Sequence, residues 1–495
     1  MSSKHRTSMS HPLEIAAVRP APQMGLVGLT FAPGKVQGSA MTGAWSRDLE
    51  LDLDVIEAWN AAAVVTLVEE HELHALEIAE LGSRVTERHM NWIHAPIRDY
   101  GVPGDAFEAV WAGHGPGLRA RVRDGANVLV HCKGGLGRAG TIAARLLVEL
   151  GMEHGSAIEQ VRTARPGAIE TSAQLAHVMG CAPVEEVLHD TGPEAVRDRA
   201  IGALLGLAIG DALGTTGEFK PRGSYPRITD LVGGGVFRLK AGQWTDDTAM
   251  ALALAASLHE ARGLDEADLM TRFVAWHRLG DYSCTGTCFD IGITVREALA
   301  RFERTGNPIA GSTAPMSAGN GSLMRLAPVA IRYWHEDQIR REAAARQSRT
   351  THGAPEAVDA CVVFADMLAE AIAGKPRHEV MRLRQGSYAG RIPEVIGGSW
   401  RTHTRRTIRS SGYVIDSLEA ALWCTARTSS FAEAVLLAAN LGEDSDTVAA
   451  ITGQLAGALY GREGIPACWL ETLAWRDQIE TMALELTTPA GWYPW

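Results

Sequence analysis

The pattern of apolar residues changes character once along this chain, and that change limits what the chain can fold into. Up to about residue 180, short runs apolar on both faces, at Val64–Val68, Trp92–Ile97 and Val128–Cys132, alternate with helical stretches such as Asp52–Ala62. Buried parallel strands read this way, so this part is expected to be α/β, with a central parallel sheet flanked by helices. Beyond it strand patterns nearly vanish. Long apolar-periodic stretches rich in Ala and Leu, at Ala249–Ala261, Ala354–Ala373 and Val448–Tyr460, point to an all-α domain. Turn residues at Cys181-Ala182-Pro183 and Asp190-Thr191-Gly192-Pro193 separate the two patterns, and Pro193 suits the first position of a helix. The expected division is a flexible N-terminus over 1–23, an α/β domain over 24–190 and a helical domain over 197–495. The length of 495 residues agrees, because single cores stop growing at about 250–300 residues.

Composition narrows the class. The net charge of -11 argues against a broad nucleic-acid surface, which needs an excess of Lys and Arg. Neither a run of about 18 apolar residues nor an apolar stretch of signal-peptide type at Met1–His11 is present, so a cytoplasmic protein without a membrane partner is expected. Seven cysteines without paired spacing fit reduced thiols in that compartment. Cys284-x3-Cys288 lacks the second ligand pair of a structural zinc site. The closing Trp492-Tyr493-Pro494-Trp495 suits either packing of the tail or contact with a neighbouring subunit.

The sharpest local pattern is His131-Cys132-Lys133-Gly134-Gly135-Leu136-Gly137-Arg138, set between an apolar run and an expected helix over Ala139–Leu150. Strand, glycine loop and helix N-terminus make an anion cradle: glycines admit the dihedrals that turn N–H groups inward, and the helix dipole adds positive potential. A thiol at its mouth ionises easily. Arg138 can bind two phosphoryl oxygens and leave Cys132 in line with phosphorus. Expulsion of an alkoxide then needs a proton donor, and Asp99, just after the run ending at Ile97, is placed for a mobile general acid. A bare Cys-x5-Arg says almost nothing; the strand, glycines and helix carry the specificity. The bland alternative for Asp99 is a turn residue.

These residues resemble the cysteine-dependent protein phosphatases, especially the dual-specificity group related to kinase-associated phosphatase, over roughly residues 24–180. The resemblance implies Cys132 as nucleophile, Arg138 as phosphate clamp, Asp99 as acid and His131 as a loop-positioning residue. It also implies a phosphate loop of Lys133, Gly134, Gly135, Leu136 and Gly137, a water-positioning Gln174 and no metal. One departure stands out: the family usually has Ser or Thr directly after the arginine, and here it is Ala139. That hydroxyl assists release of the thiolate from the phosphoenzyme, so slow turnover is expected unless Thr141 substitutes.

Three acidic motifs punctuate the helical part: Gly210-Asp211-Ala212-Leu213-Gly214 with Glu218, Thr245-Asp246-Asp247-Thr248, and Asp444-Ser445-Asp446-Thr447. The last two precede long apolar-periodic segments, so their side chains belong to first helical turns, where an Asp is commonly only a cap. Two clusters of paired carboxylates with adjoining hydroxyls are harder to dismiss. Packed together they repel unless cations lie between them, and all-oxygen ligands select hard ions, Mg2+ or Mn2+ over Zn2+.

The motifs resemble those of the ADP-ribosylglycohydrolase family over about residues 197–465, with Gly319-Asn320-Gly321-Ser322-Leu323-Met324-Arg325, Thr351-His352, Gly412-Tyr413-Val414 and Asn440-Leu441-Gly442 in the family's order. The resemblance implies two metal ions held by Thr245, Asp246, Asp247, Asp444, Asp446 and Thr447. Glu218 would be the catalytic or metal-bridging carboxylate. Asn320, Gly321 and Ser322 would receive the diphosphate or adenosine part of ADP-ribose, Asp290 would approach its ribose, and His352 would border the substrate. Glu443 stands where Gly or Asp is often found. The implied reaction is hydrolysis at the anomeric carbon through an oxocarbenium-like transition state.

The expected protein is a bifunctional hydrolase, cleaving an ADP-ribosyl linkage on a protein or small molecule with one domain and a phosphate monoester with the other. The alternative keeps an active glycohydrolase and makes the first domain a weakly active or inactive phosphate-binding module. A third reading, a metal-stabilised scaffold, sits poorly with Glu218 and the six-ligand set.

Overall fold

The computed structural model describes residues 5–40, 43–185 and 190–487; the tail Trp492–Trp495 lies outside them. Two compact units result, one built on Met1–Glu186, the other on Val187–Thr425 and Ser430–Trp495.

The first unit carries a five-stranded sheet of β1 (Ala16–Val18), β2 (Val27–Phe31), β3 (Ala61–Thr66), β4 (Asn91–His94) and β5 (Asn127–Cys132), in the order β1-β2-β5-β3-β4. All neighbours run parallel except β1, which pairs antiparallel with β2 (Val18 opposite Val27). The sheet is thus parallel at its centre, as the apolar runs imply, with an antiparallel edge strand inside the N-terminal stretch. Successive strand residues serve opposite faces. Val65 and Val130 join one core with Trp111 of α3 (Asp105–Arg123) and Leu146 of α4 (Gly137–Glu149). Val64 and Leu129 join the other core with Ile56 of α1 (Leu49–Ala58) and Leu73 of α2 (Glu70–Ala75). Because both faces are covered, β3 and β5 carry apolar residues in succession at Ala61–Val65 and Val128–Val130, and the alternation of an exposed sheet is absent.

The second unit is helical. At its centre α5 (Pro193–Gly214), with Pro193 in its first turn, packs antiparallel on α7 (Ser445–Tyr460). The contact is a seam of small residues. A Cβ on Gly202 would fall 2.4 Å from the Gly457 carbonyl oxygen, and one on Gly206 2.2 Å from that of Gly453. Equivalent atoms on Gly210 and Gly214 would lie 2.1 Å from the Ala449 oxygen and 2.3 Å from the Ser445 oxygen. Four glycines at a spacing of four therefore let two backbones touch, which ordinary side chains forbid. The seam brings Asp211 of α5 beside the first turn of α7. The first turn of α6 (Asp246–Glu260) completes the group. Among the described residues no helix is long and apolar enough to cross a membrane.

In an exposed helix Gly→Ala adds about 0.5–1 kcal/mol of stability. At Gly206 the seam reverses the sign: Gly206→Ala lowers the unfolding free energy by about 1–3 kcal/mol. A thermal or denaturant melt checks this, and a gain in stability would show that the helices can separate without cost.

Candidate functional site

In the first unit β5 ends at Cys132, which is 3% exposed, and the chain turns through the glycine loop into α4. The loop is built for an anion. Gly135 has φ +73, where its Cβ would strike the Phe31 nitrogen at 2.6 Å, and its N–H donates to Cys132 Sγ at 3.2 Å. His131 is buried beneath, its Nε2 2.8 Å from Thr66 Oγ1; burial lowers its pKa to about 3, so the ring is neutral and braces β5 against β3.

Arg138 is held from behind by Glu72 of α2, at 2.5 Å to Oε2 and 3.0 Å to Oε1, and also donates to the Ile97 carbonyl at 2.9 Å. Burial works against ionisation of Glu72, yet the hydrogen bonds from Arg138 hold its carboxyl below the usual range. Asp99 reaches the pocket wall from the segment after β4, with Oδ1 3.0 Å from Arg138 Nη2, on the guanidinium edge that an incoming phosphate would use. Lys133, Gly134 and Leu136 line the same pocket, whose volume is about 820 Å3.

Gln174 packs against the loop from outside the cavity, where a Cβ on Gly137 would lie 2.9 Å from its Nε2. Its Oε1 accepts from the Glu170 and Thr171 nitrogens, and its Nε2 donates to the Gly101 carbonyl, so it is fully buried and fastens the turn that follows Asp99. Thr141 Oγ1 donates to the Gly137 carbonyl at 2.8 Å, one turn back in its own helix. Its hydroxyl is therefore spoken for, and Ala139 offers none.

The second unit holds a cavity of about 680 Å3 whose walls include Glu218, Asp246, Asp290, Asn320, Gly321, His352, Asp444, Asp446 and Thr447. Asp211, absent from the ligand set drawn from the sequence, organises the floor. It accepts from the Thr245 and Thr248 backbone nitrogens at 2.9 and 3.0 Å, and from their hydroxyls at 2.8 and 2.6 Å. It thus caps α6 from outside the helix. Asp246 and Asp247 are freed from that duty, so the capping explanation for this motif does not describe the geometry.

Ligand oxygens of Asp211, Asp247 and Asp446 lie within 4.8 Å of one another, as do those of Glu218, Asp444 and Asp446. Asp446 belongs to both groups. Asp247 Oδ1 and Asp446 Oδ2 are buried without a hydrogen-bond partner among the described residues, a costly state for a carboxylate. Burial and then Asp446 raise Asp211 and Asp444 to about 7 each; burial, Asp246 and Asp446 raise Asp290 to about 11. Burial and neighbouring carboxylates also push Asp246 and Asp247 well up, and burial followed by Asp446 does the same to Glu218. An all-oxygen donor set of this charge fits hard divalent cations, which would relieve both the repulsion and the orphaned oxygens.

Glu218 is positioned by a latch. Phe219 N donates to the Glu443 carbonyl and Glu443 N to the Lys220 carbonyl, each at 2.8 Å. Phe219 and Glu443 take φ values of 58 and 61, and Asp290 takes 59. The position before Asp444 thus demands left-handed backbone, which Gly and Asp tolerate best; Glu443 adopts it with its side chain exposed. Asn320 Nδ2 donates to Asp444 Oδ2 at 2.6 Å, so it steadies an acidic residue as well as lining the cavity. Ser322 does not line it. Its hydroxyl lies 2.8 Å from Ser348 Oγ in the core. Gly321 admits the His352 ring, whose Cε1 would be 2.7 Å from a Cβ there.

With raised carboxyl pKa values, the metal-free folded chain binds more protons than the unfolded one between the ordinary value of 3.8 and about 7. Stability from this cluster therefore falls as pH rises through that window. Asp247→Asn removes a carboxyl that must keep its proton in the fold, so in chelator it melts above the parent chain, by a margin that widens from pH 5 to pH 8. A margin independent of pH, or a lower melting temperature, would contradict the repulsion.

The family model for ADP-ribosylglycohydrolase matches residues 192–494, and that for the Swiss Army Knife protein, DSP-PTPase phosphatase domain, matches residues 39–178. ADP-ribosylarginine hydrolase Tri1 of Pseudomonas putida (strain GB-1) is 47% identical over 294 residues, covering 59% of this chain and 79% of that protein. ADP-ribosyl-[dinitrogen reductase] glycohydrolase of Rhodospirillum rubrum is 36% identical over 294 residues, covering 57% of this chain and 92% of the relative. A solved structure of an ADP-ribosylglycohydrolase-related protein complex is 42% identical with a TM-score of 0.54, covering 60% of this chain and 99% of its own. The chain belongs to the ADP-ribosylglycohydrolase family and is an enzyme of that class that carries a DSP-PTPase phosphatase domain ahead of its glycohydrolase domain.

Proposed function

We propose that the helical domain hydrolyses the bond between ADP-ribose and an arginine side chain of a modified protein, and that the first domain hydrolyses a phosphate monoester through Cys132. The carrying observation for the first activity is the cavity in which Asp246, Asp444, Asp446 and Glu218 converge while buried oxygens of Asp247 and Asp446 stay unpartnered. The arginine linkage is supported by the activity named for the Tri1 relatives.

Two divalent cations, Mg2+ or Mn2+, would be held by Thr245, Asp246, Asp247, Asp444, Asp446 and Thr447, with Asp211 holding Thr245 and the neighbouring Thr248 in place. Bound there, they supply positive charge for substrate oxygens and lower the pKa of water. The chain's own groups do the rest. Asp290 accepts hydrogen bonds from the distal ribose hydroxyls. Asn320 and Gly321 form the wall for the diphosphate, with His352 behind Gly321. The carboxylates around the anomeric carbon stabilise its developing positive charge, and Glu218 takes the proton of the attacking water.

In the first domain the loop N–H groups and Arg138 hold the phosphate, and Cys132 Sγ attacks phosphorus. Asp99 protonates the leaving oxygen once phosphate has displaced it from Arg138. Gln174 acts indirectly, by fixing the turn beyond Asp99. Thr141 and Ala139 together favour slow release of phosphate from Cys132, which keeps alive the reading of this domain as chiefly a phosphate-binding module. We place the protein in the cytoplasm, where its seven free thiols would stay reduced.

Release of ADP-ribose from an ADP-ribosylarginine peptide stops in chelator, returns with Mg2+ or Mn2+, and falls at least about 100-fold in Glu218→Gln. Unimpaired release after thorough metal removal would overturn the metal assignment. Phosphate release from para-nitrophenyl phosphate, by contrast, persists in chelator and disappears in Cys132→Ser. Ala139→Ser raises its steady-state rate and shrinks any burst. No release by the native chain, with phosphate still bound, would decide for the binding module.

A further inference from the structure

The pocket of the first unit holds more cationic groups than one phosphate monoester uses. Arg138 and the loop N–H groups account for the phosphate on Cys132, and Arg138 is already matched by Glu72 and Asp99. Lys35, Lys133 and Arg165 line the same cavity, and among the described residues none of them forms an ion pair with a carboxylate. Lys35 is the most costly of the three. It is only 5% exposed, lies 4.8 Å from the centre of the Phe31 ring and 5.0 Å from that of Trp45, and spends a single hydrogen bond on the Lys133 carbonyl at 3.1 Å. Apart from the Cys132 thiol, the ionisable groups it faces are the cations Arg47, Lys133 and Arg165, and Arg47 is itself consumed by Asp52 at 2.7 Å. Arg165 Nε is buried with no hydrogen-bond partner among the described residues.

A lysine buried among like charges, beside an arginine with an orphaned donor, is unfavourable unless something anionic arrives. The carboxylates of Glu14 and Glu170 also border the cavity, yet neither is within ion-pair distance of these cations among the described residues. We infer that Lys35, Lys133 and Arg165 form a second phosphate subsite, so that the preferred substrate is a small molecule bearing two phosphate groups. One phosphate sits on the Cys132 loop and the other on this triad. This rests on the reading of Cys132 as a phosphatase nucleophile, but the subsite can be tested without it.

Full-length protein is assayed for phosphate release from fructose 1,6-bisphosphate and fructose 6-phosphate, which share one phosphate and differ in the second. The expected kcat/KM favours the bisphosphate at least about tenfold, as charge-assisted contacts to phosphate would give. The ratio falls below about threefold in Arg165→Met and in Lys35→Met. Equal kcat/KM values in the native chain, or variants that depress both substrates by one common factor, would overturn the subsite; the latter would assign Lys35 and Arg165 to Cys132 itself. Calorimetry on Cys132→Ser separates the two ideas. A bisphosphate preference in binding that Arg165→Met erases supports the subsite even if no substrate is turned over, in which case the phosphatase reading alone falls. A preference that survives Arg165→Met places the second phosphate elsewhere and sinks the inference.

Discussion

The backbone contact between α5 and α7 is the constraint on which the glycohydrolase site depends. Gly202, Gly206, Gly210 and Gly214 remove every side chain from one face of α5, so α7 settles on it at van der Waals distance. That approach carries Asp211 to the mouth of α6 and sets Asp446 where it belongs to both carboxylate groups. Left alone, such a gathering of charge would push the helices apart. The seam holds them by packing and by the bond from Ser445 Oγ to the Gly214 carbonyl at 2.8 Å, so the repulsion is stored as raised pKa values and unpartnered oxygens. Stability is given up at a functional site and recovered in the core around it.

The two pockets solve opposite electrostatic problems with related devices. In the phosphatase domain, backbone N–H groups and Arg138 make a positive cradle, and Glu72 fixes the guanidinium from behind while Asp99 meets it from the cavity wall. In the glycohydrolase domain, acidic first turns make a negative cradle, and Asp211 fixes Thr245 and Thr248 from behind. Each time a buried carboxylate holds the neighbouring groups of its cavity in one orientation. Pre-organisation of this kind lets a site act without reorganising as charge develops.

Much of this was legible in the residues. Apolar runs mark β3, β4 and β5, long Ala and Leu periodicity marks α6 and α7, the Cys-x5-Arg loop lines one cavity and each of the three acidic motifs lends a residue to the other. The misses share a cause: they are positions whose meaning comes from partners far away in the chain. Glu72 and Lys35 meet Arg138 and Lys133 across 66 and 98 positions, with no local motif to mark them. Asp211 stood inside a quoted motif, but only the α5–α7 seam shows that it caps α6. Ser322 belongs to its motif, yet its hydroxyl turns into the core, because short motifs record neighbours along the chain and not the direction of a side chain. The edge strand β1 leaves no trace in the pattern because Ala16–Val18 is too short to show a period.

The central claim is that the acidic cavity of the helical domain is a preformed site for two divalent cations. Its most direct measurement is anomalous diffraction at the manganese edge from crystals of the full-length protein grown with Mn2+. The account predicts two peaks at the cavity floor, one at each of the two carboxylate groups that share Asp446. It also predicts a ligand shell drawn from Thr245, Asp246, Asp247, Asp444, Asp446 and Thr447. A cavity without manganese at millimolar Mn2+, or manganese bound only elsewhere on the chain, would contradict it.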